Sequence, residues 1–134
     1  MDSLFLSNSI YVYPDKLGVF ARQDIEEHEV IEHVPVIVLP ESQLKDLEKT
    51  DLYDYVFGWG IGNVLPSIGL GFTSFYRCGE MNGTPPNAHP LRNLRDNTIT
   101  IISLVPIKQD EEILIAGNQP AIRNSIEHNS HLKQ

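Results

Sequence analysis

Apolar, β-branched and aromatic residues in this chain gather in short clusters separated by turn-forming residues, a pattern that favours strands at both ends. Ser9-Ile10-Tyr11-Val12-Tyr13 is the first cluster and stops at Pro14. Gly18 to Ala21, Glu29 to Glu32 and Val34 to Leu39 predict further short strands. Pro35, inside the last of them, marks an edge or a bulge, because proline has no N–H to give to a ladder. The middle of the chain differs. Pro40-Glu41-Ser42-Gln43-Leu44-Lys45-Asp46-Leu47-Glu48 opens with proline and acidic residues, as helix N-termini do, and sets Leu44 and Leu47 three apart on one face. A second short helical stretch is expected over Leu52 to Phe57. Glycines are dense from Gly58 to Gly71, and Glu80 to Pro90 reads as loop from its Gly, Asn, Pro and Thr content. Asn97 to Val105 is the clearest strand, Glu112 to Ala116 the last, and the polar tail from Asn118 to Gln134 is expected to fray. Many short strands around one small helical insert predict a mostly-β, α+β fold.

Composition narrows the picture. A chain of 134 residues, 41% of them hydrophobic, fits one domain with a real core. No apolar run approaches the roughly 18 residues that span a bilayer, and Met1-Asp2-Ser3 lacks the basic start of a secretory signal. Cys78 is the only cysteine, so no internal disulfide can form and a reducing, cytoplasm-like compartment is expected. A net charge of −8 repels phosphate backbones and argues against nucleic acid as a partner. It serves solubility, or, on the alternative, favours a basic partner such as a lysine-rich peptide.

General motifs for chemistry are nearly absent. Cys78 has no cysteine or histidine at zinc spacing, and His128 and His131 sit three apart in the polar tail, so no metal site is expected. There is no phosphate loop, nucleophile elbow or His-Glu-x-x-His. Gly69-Leu70-Gly71 lacks the third glycine of a dinucleotide site and reads as a packing turn. Asp110-Glu111-Glu112 reads as a solvated turn in preference to an acid–base pair.

Several stretches taken in order carry more. Leu17-Gly18-Val19-Phe20-Ala21-Arg22-Gln23-Asp24-Ile25, Glu29-Val30-Ile31-Glu32, Tyr53-Asp54-Tyr55-Val56-Phe57, and Pro106-Ile107-Lys108-Gln109-Asp110-Glu111-Glu112-Ile113 follow one another. Gly69-Leu70-Gly71-Phe72, Tyr76 and Pro86-Asn87-Ala88 lie between the last two. Together they resemble the SET-domain family of protein-lysine methyltransferases, over residues 8–117, with 118–134 as a tail. The resemblance implies a β-clip-like fold of short curved sheets with a C-terminal pseudoknot. It also implies an S-adenosylmethionine site on one face and a lysine channel from the other, where the amine must arrive aligned with the sulfur–methyl bond.

The chain departs from the family where that chemistry would occur. The family's Gly-x-Gly turn against the cofactor falls on Lys16-Leu17-Gly18, and a lost glycine is a lost close approach. The family's Asn-His-Ser stretch becomes Arg77-Cys78-Gly79, followed by an insertion from Glu80 to Pro85. Arg77 cannot accept a hydrogen bond as asparagine does, but it could pair with the cofactor's carboxylate. The family tyrosine that orients the lysine amine falls on Gly117, and His28, Thr73 and Asp110 stand at turn-glycine positions. Leu17, Gly18, Arg77 and Cys78 are therefore the candidate cofactor contacts. Tyr55 and Tyr76 are candidate substrate contacts or, equally, core aromatics. The surviving pattern is largely core: Val19, Phe20, Ile25, Val30, Ile31, Val56, Phe57, Ile101 and Ile113.

Three functions remain open from these residues. One is a pseudoenzyme scaffold that binds a protein or lysine-rich peptide. Another is a protein-lysine methyltransferase with a remodelled site, Arg77 holding cofactor and Tyr55 or Tyr76 orienting lysine. The third is a subunit of an assembly, since curved β folds of this kind often trimerise; a homodimer is a further expectation, from the small free-standing members that the chain resembles.

Overall fold

A computed structural model of the protein describes residues 10–13, 18–79 and 83–116. Among the described residues, nine strands form a two-stranded ladder and a seven-stranded curled sheet. The ladder pairs β1 (Ile10–Tyr13) antiparallel with β2 (Gly18–Ala21). The larger sheet uses β3 (Val30–Val38), β4 (Phe57–Trp59), β5 (Leu65–Gly69), β6 (Arg77–Cys78), β7 (Ala88–Asn93), β8 (Thr98–Ser103) and β9 (Leu114–Ile115). Its order is β4-β5-β3-β8-β7-β9-β6. The fold is mostly β with little helix, as the pattern predicts.

The two strands expected over Glu29–Leu39 are one strand, β3, with a bulge between Val30 and Glu32. Pro35 is the last β3 residue opposite β8 before the register passes to β5 at Val36, so its missing N–H falls where the ladder changes partner. The bulge adds one residue and breaks the alternation of faces. Ile31 and Glu32 are consequently both buried, and Val30, expected in the core, is turned outward. The expected helix reduces to a 3₁₀ turn at Glu41–Gln43 and a four-residue α1, Leu44–Leu47. Asp51–Tyr55 forms a second 3₁₀ stretch, after which Phe57 opens β4. Leu44 and Leu47 do share a face, packing on the buried Val56 with Tyr53 and Ile68. Ala88 to Pro90, read as loop, begins β7. No helix among the described residues is long and apolar enough to cross a membrane.

The main core joins Val19, Ile25, Ile31, Ile99, Ile101, Ile107 and Ile113 with Phe57 and Trp59. Phe20 is half-buried and stacks on Tyr11 at 5.7 Å. Two of the three expected turn positions adopt left-handed backbone: His28 at φ 61° and Asp110 at φ 68°. Each costs about 1–2 kcal/mol relative to glycine, less for Asp. Thr73 instead opens the 3₁₀ turn Thr73–Phe75 and needs no such geometry.

The pseudoknot is visible in the sheet order. The two-residue β9 runs parallel to both β6 and β7 and lies between them, although β6 and β7 follow one another along the chain. A ladder this short supplies few hydrogen bonds, and Asn87 adds the rest. Its backbone N–H donates to the Leu114 carbonyl at 2.9 Å. Its side-chain oxygen accepts from Leu114 N–H at 2.8 Å, and its amide nitrogen donates to the Glu112 carbonyl at 2.9 Å. Truncation leaves buried backbone groups unpaired, so Asn87→Ala is expected to cost about 2–4 kcal/mol in urea unfolding. A loss below about 1 kcal/mol would show that the insertion does not depend on this side chain.

Candidate functional site

The segment before β9 runs back along β2. Asp110 N–H donates to the Ala21 carbonyl, Ala21 N–H to Glu111, and Ile113 N–H to Val19, at 2.7, 3.0 and 2.8 Å. Phe20 and Glu112 form an isolated antiparallel bridge. These bonds set the Glu112 side chain between β2 and β6. There its carboxylate takes a bidentate grip from Arg77, Nε to Oε2 at 2.7 Å and Nη2 to Oε1 at 2.5 Å. The Glu112 hydrogen bond raises the Arg77 pKa further above its already high ordinary value, and the planar fork matches the carboxylate geometry. A side-chain carbon added at Gly18 would meet Glu112 Oε2 at 2.6 Å. The space that glycine leaves at Gly18 is thus filled by the protein's own carboxylate.

Gly18 and Arg77 are therefore brought together through Glu112, a residue that sequence reasoning placed in a solvated turn. Cys78 follows Arg77 on β6 but points the other way, buried and paired in register with Ile115. Leu17 and Gly117 lie outside the described residues, as do Lys16, Glu80 and the histidines of the tail.

A second group centres on Glu32, whose residue is 0% exposed. Its oxygens accept from the Phe72 N–H at 3.3 Å and the Thr73 hydroxyl at 3.2 Å. Burial raises its pKa above the ordinary 4.5, against the opposing pull of those donors. Tyr76, next in the chain after the Thr73–Phe75 turn, is buried in the main core. Burial, then the neighbouring Glu32 charge, pushes its phenol well above the ordinary value. The two groups do not meet with hydrogen-bond geometry: the Tyr76 hydroxyl is the buried side-chain polar atom left without a partner among the described residues. Tyr55 is half-buried and packs edge-to-face on Phe75, centroids 5.7 Å apart. The structure thus sets the two candidate substrate tyrosines around the Thr73–Phe75 turn, one at its surface and one beneath it. No three His, Cys, Asp or Glu side chains converge as a metal site among the described residues.

A strand inserted between β6 and β7, with a clamp from Pro86-Asn87-Ala88, is the topology the resemblance called for, and the sequence matches the SET domain over residues 16–116. The chain belongs to the SET-domain family. Solved SET-domain structures share its fold at low identity. A Plasmodium falciparum protein named as a candidate histone methyltransferase is 23% identical, with a TM-score of 0.57, over 86% of this chain and 97% of that one. The methyltransferase domain of human PR domain-containing protein 2 is 19% identical, with a TM-score of 0.54, over 87% and 81%. A Chaetomium thermophilum Polycomb Repressive Complex 2 structure bound to S-adenosylmethionine is 17% identical, with a TM-score of 0.62, over 96% of this chain and 16% of that one. No curated protein matches the sequence.

Two measurements test the Glu32 group of this SET domain. With its folded pKa raised, Glu32 contributes fully below pH 4.5 and loses that contribution as pH rises through the folded value. The stability difference between Glu32→Gln and the parent is therefore expected to shift toward the variant as pH rises above 4.5; a pH-independent difference would show that Glu32 ionises without penalty. Tyr76→Phe removes a hydroxyl that lies beside Glu32 without meeting it at full hydrogen-bond geometry, so its stability is expected within about 1 kcal/mol of the parent or above it. A larger loss in urea unfolding would place a partner on that oxygen.

Proposed function

We propose that this SET domain is a protein-binding scaffold whose methyl-transfer activity is lost or strongly reduced. The observation that carries the reading is the Arg77–Glu112 pair lying over Gly18. S-adenosylmethionine, when bound, supplies a methyl group on a sulfonium. The residues present do not fit it as they are arranged. The guanidinium that could receive its carboxylate already holds Glu112, and the approach at Gly18 is occupied by the same side chain. The position of the family's orienting tyrosine is Gly117, which has no hydroxyl. Loss of one positioned donor costs on the order of 10²–10³ in rate, by analogy with oxyanion-hole donors.

Charge supports the partner class. With eight more acidic than basic residues, the domain attracts a basic, lysine-rich protein segment and repels nucleic acid. Exposed Glu26, Glu27, Asp46, Asp51 and Asp54 contribute to that field.

Calorimetry with S-adenosylmethionine, followed by labelled-methyl transfer to lysine-rich peptides, tests the reading. The expected result is no binding at millimolar cofactor and no transferred label, with salt-sensitive binding of the peptides. Micromolar binding with label transfer would establish an active enzyme. Glu112→Gln, which weakens the hold on Arg77, then separates the causes: restored cofactor binding in the variant assigns the block to Glu112.

A further inference from the structure

Arg92 is the described cation whose situation is least ordinary. It ends the inner face of β7, after Ala88 and Pro90, where alternation turns it toward the curled end of the sheet. Its guanidinium carbon lies 5.6 Å from the Phe57 ring centroid and 6.0 Å from that of Trp59, and the two rings meet edge to face. Its Nε donates to the Gly58 carbonyl at 3.2 Å. Gly58 lies on the edge strand β4, and Arg92 gives its outward carbonyl a donor. Burial alone acts on its pKa and lowers it.

That arrangement leaves the far end of the guanidinium uncommitted. Among the described residues no carboxylate lies within 4.0 Å of it, in a chain with 18 acidic and 10 basic residues. The nearby Asp96 is engaged with the Asn93 amide and belongs to the β7–β8 turn. A partly desolvated cation without a counter-ion is costly and gains most from an anion brought from outside. With Nε occupied, the free donors are the two terminal nitrogens, whose spacing suits the two oxygens of one planar carboxylate met end-on. Ile61, two residues after Trp59 in the chain, is an apolar side chain 92% exposed.

We propose that Arg92, held on the Phe57–Trp59 platform, is a binding site for a single carboxylate, supplied by an acidic side chain of a partner peptide or by a small carboxylic acid. The site is separate from the Arg77–Glu112 pair and does not depend on the scaffold reading. Negative net charge selects against polyanions while leaving an isolated carboxylate acceptable.

Trp59 is the only tryptophan, so its fluorescence reports the site directly. Titrate the protein at constant ionic strength with acetate, with a blocked Leu-Glu-Leu peptide and with inorganic phosphate. A saturable change in the millimolar range is expected with acetate, tighter with the peptide if a partner is the source, and weakest with phosphate. Arg92→Gln is expected to abolish it and Arg95→Gln, at an exposed neighbour, to leave it. A response matched by sodium chloride, retained in Arg92→Gln, or tightest with phosphate would overturn the proposal. Should Arg92→Gln not fold, Arg92→Lys keeps the charge and stem but not the fork. Acetate binding weakened about fivefold with unchanged circular dichroism is then expected, and equal affinity would overturn the proposal.

Discussion

The C-terminal strand of the described chain is only two residues long, yet it must sit between β6 and β7 against the direction in which sequence neighbours ordinarily pair. Two residues make too few ladder bonds to fix a strand in place. Asn87 compensates by presenting its backbone N–H and both ends of its side-chain amide to the stretch from Glu112 to Leu114. Everything around the candidate site follows from that placement. With Glu112 anchored through its carbonyl, its carboxylate reaches Arg77 on one side and the bare Cα of Gly18 on the other. The bonds from Asp110 and Ile113 to β2 then tie the first ladder to the same segment.

Much of the architecture was legible because strand signals are local. Gly18 to Ala21 and the run from Thr98 to Ser103 combine β-branched residues with buried faces, and each forms the strand its composition predicts. The bulge in β3 was not legible. A single extra residue leaves no mark in composition, yet it parts Val30 from the face it would share with Glu32 and leaves Ile31 and the Glu32 carboxyl buried side by side. The strand at Ala88 was hidden for a different reason. Its Pro90 reads as a loop residue, but β7 gains its order from pairing with β8 across all six positions, which the composition of Glu80 to Pro90 does not reveal.

The candidate site shows the same division. Arg77 was marked by chemistry alone, as a side chain suited to gripping a carboxylate, and it does grip one. That the carboxylate comes from Glu112, thirty-five positions away, is a property of the threading and not of either residue's neighbours. Left-handed geometry at His28 and Asp110 could be anticipated because the resemblance to the family puts turn glycines at these positions, and the backbone takes that geometry here at an energetic cost. At Thr73 the chain has taken another route, rebuilding the turn so that the threonine hydroxyl serves the buried Glu32. The resemblance identifies positions; only the packing says which of two solutions each adopts.

The union of the first ladder with the last segment also bears on how the chain reaches its native state. Tyr11 bonds to Asp110, ninety-nine positions further along the sequence, and β2 finds its hydrogen-bonding partners on the same distant stretch. Local hairpins such as β7–β8 close early, whereas the opening strands must wait for the final ones to be synthesised and threaded. Until then β2 offers an unpaired edge and an apolar face in Val19, and a chaperone that shields that edge on the nascent chain would govern the yield of folded protein.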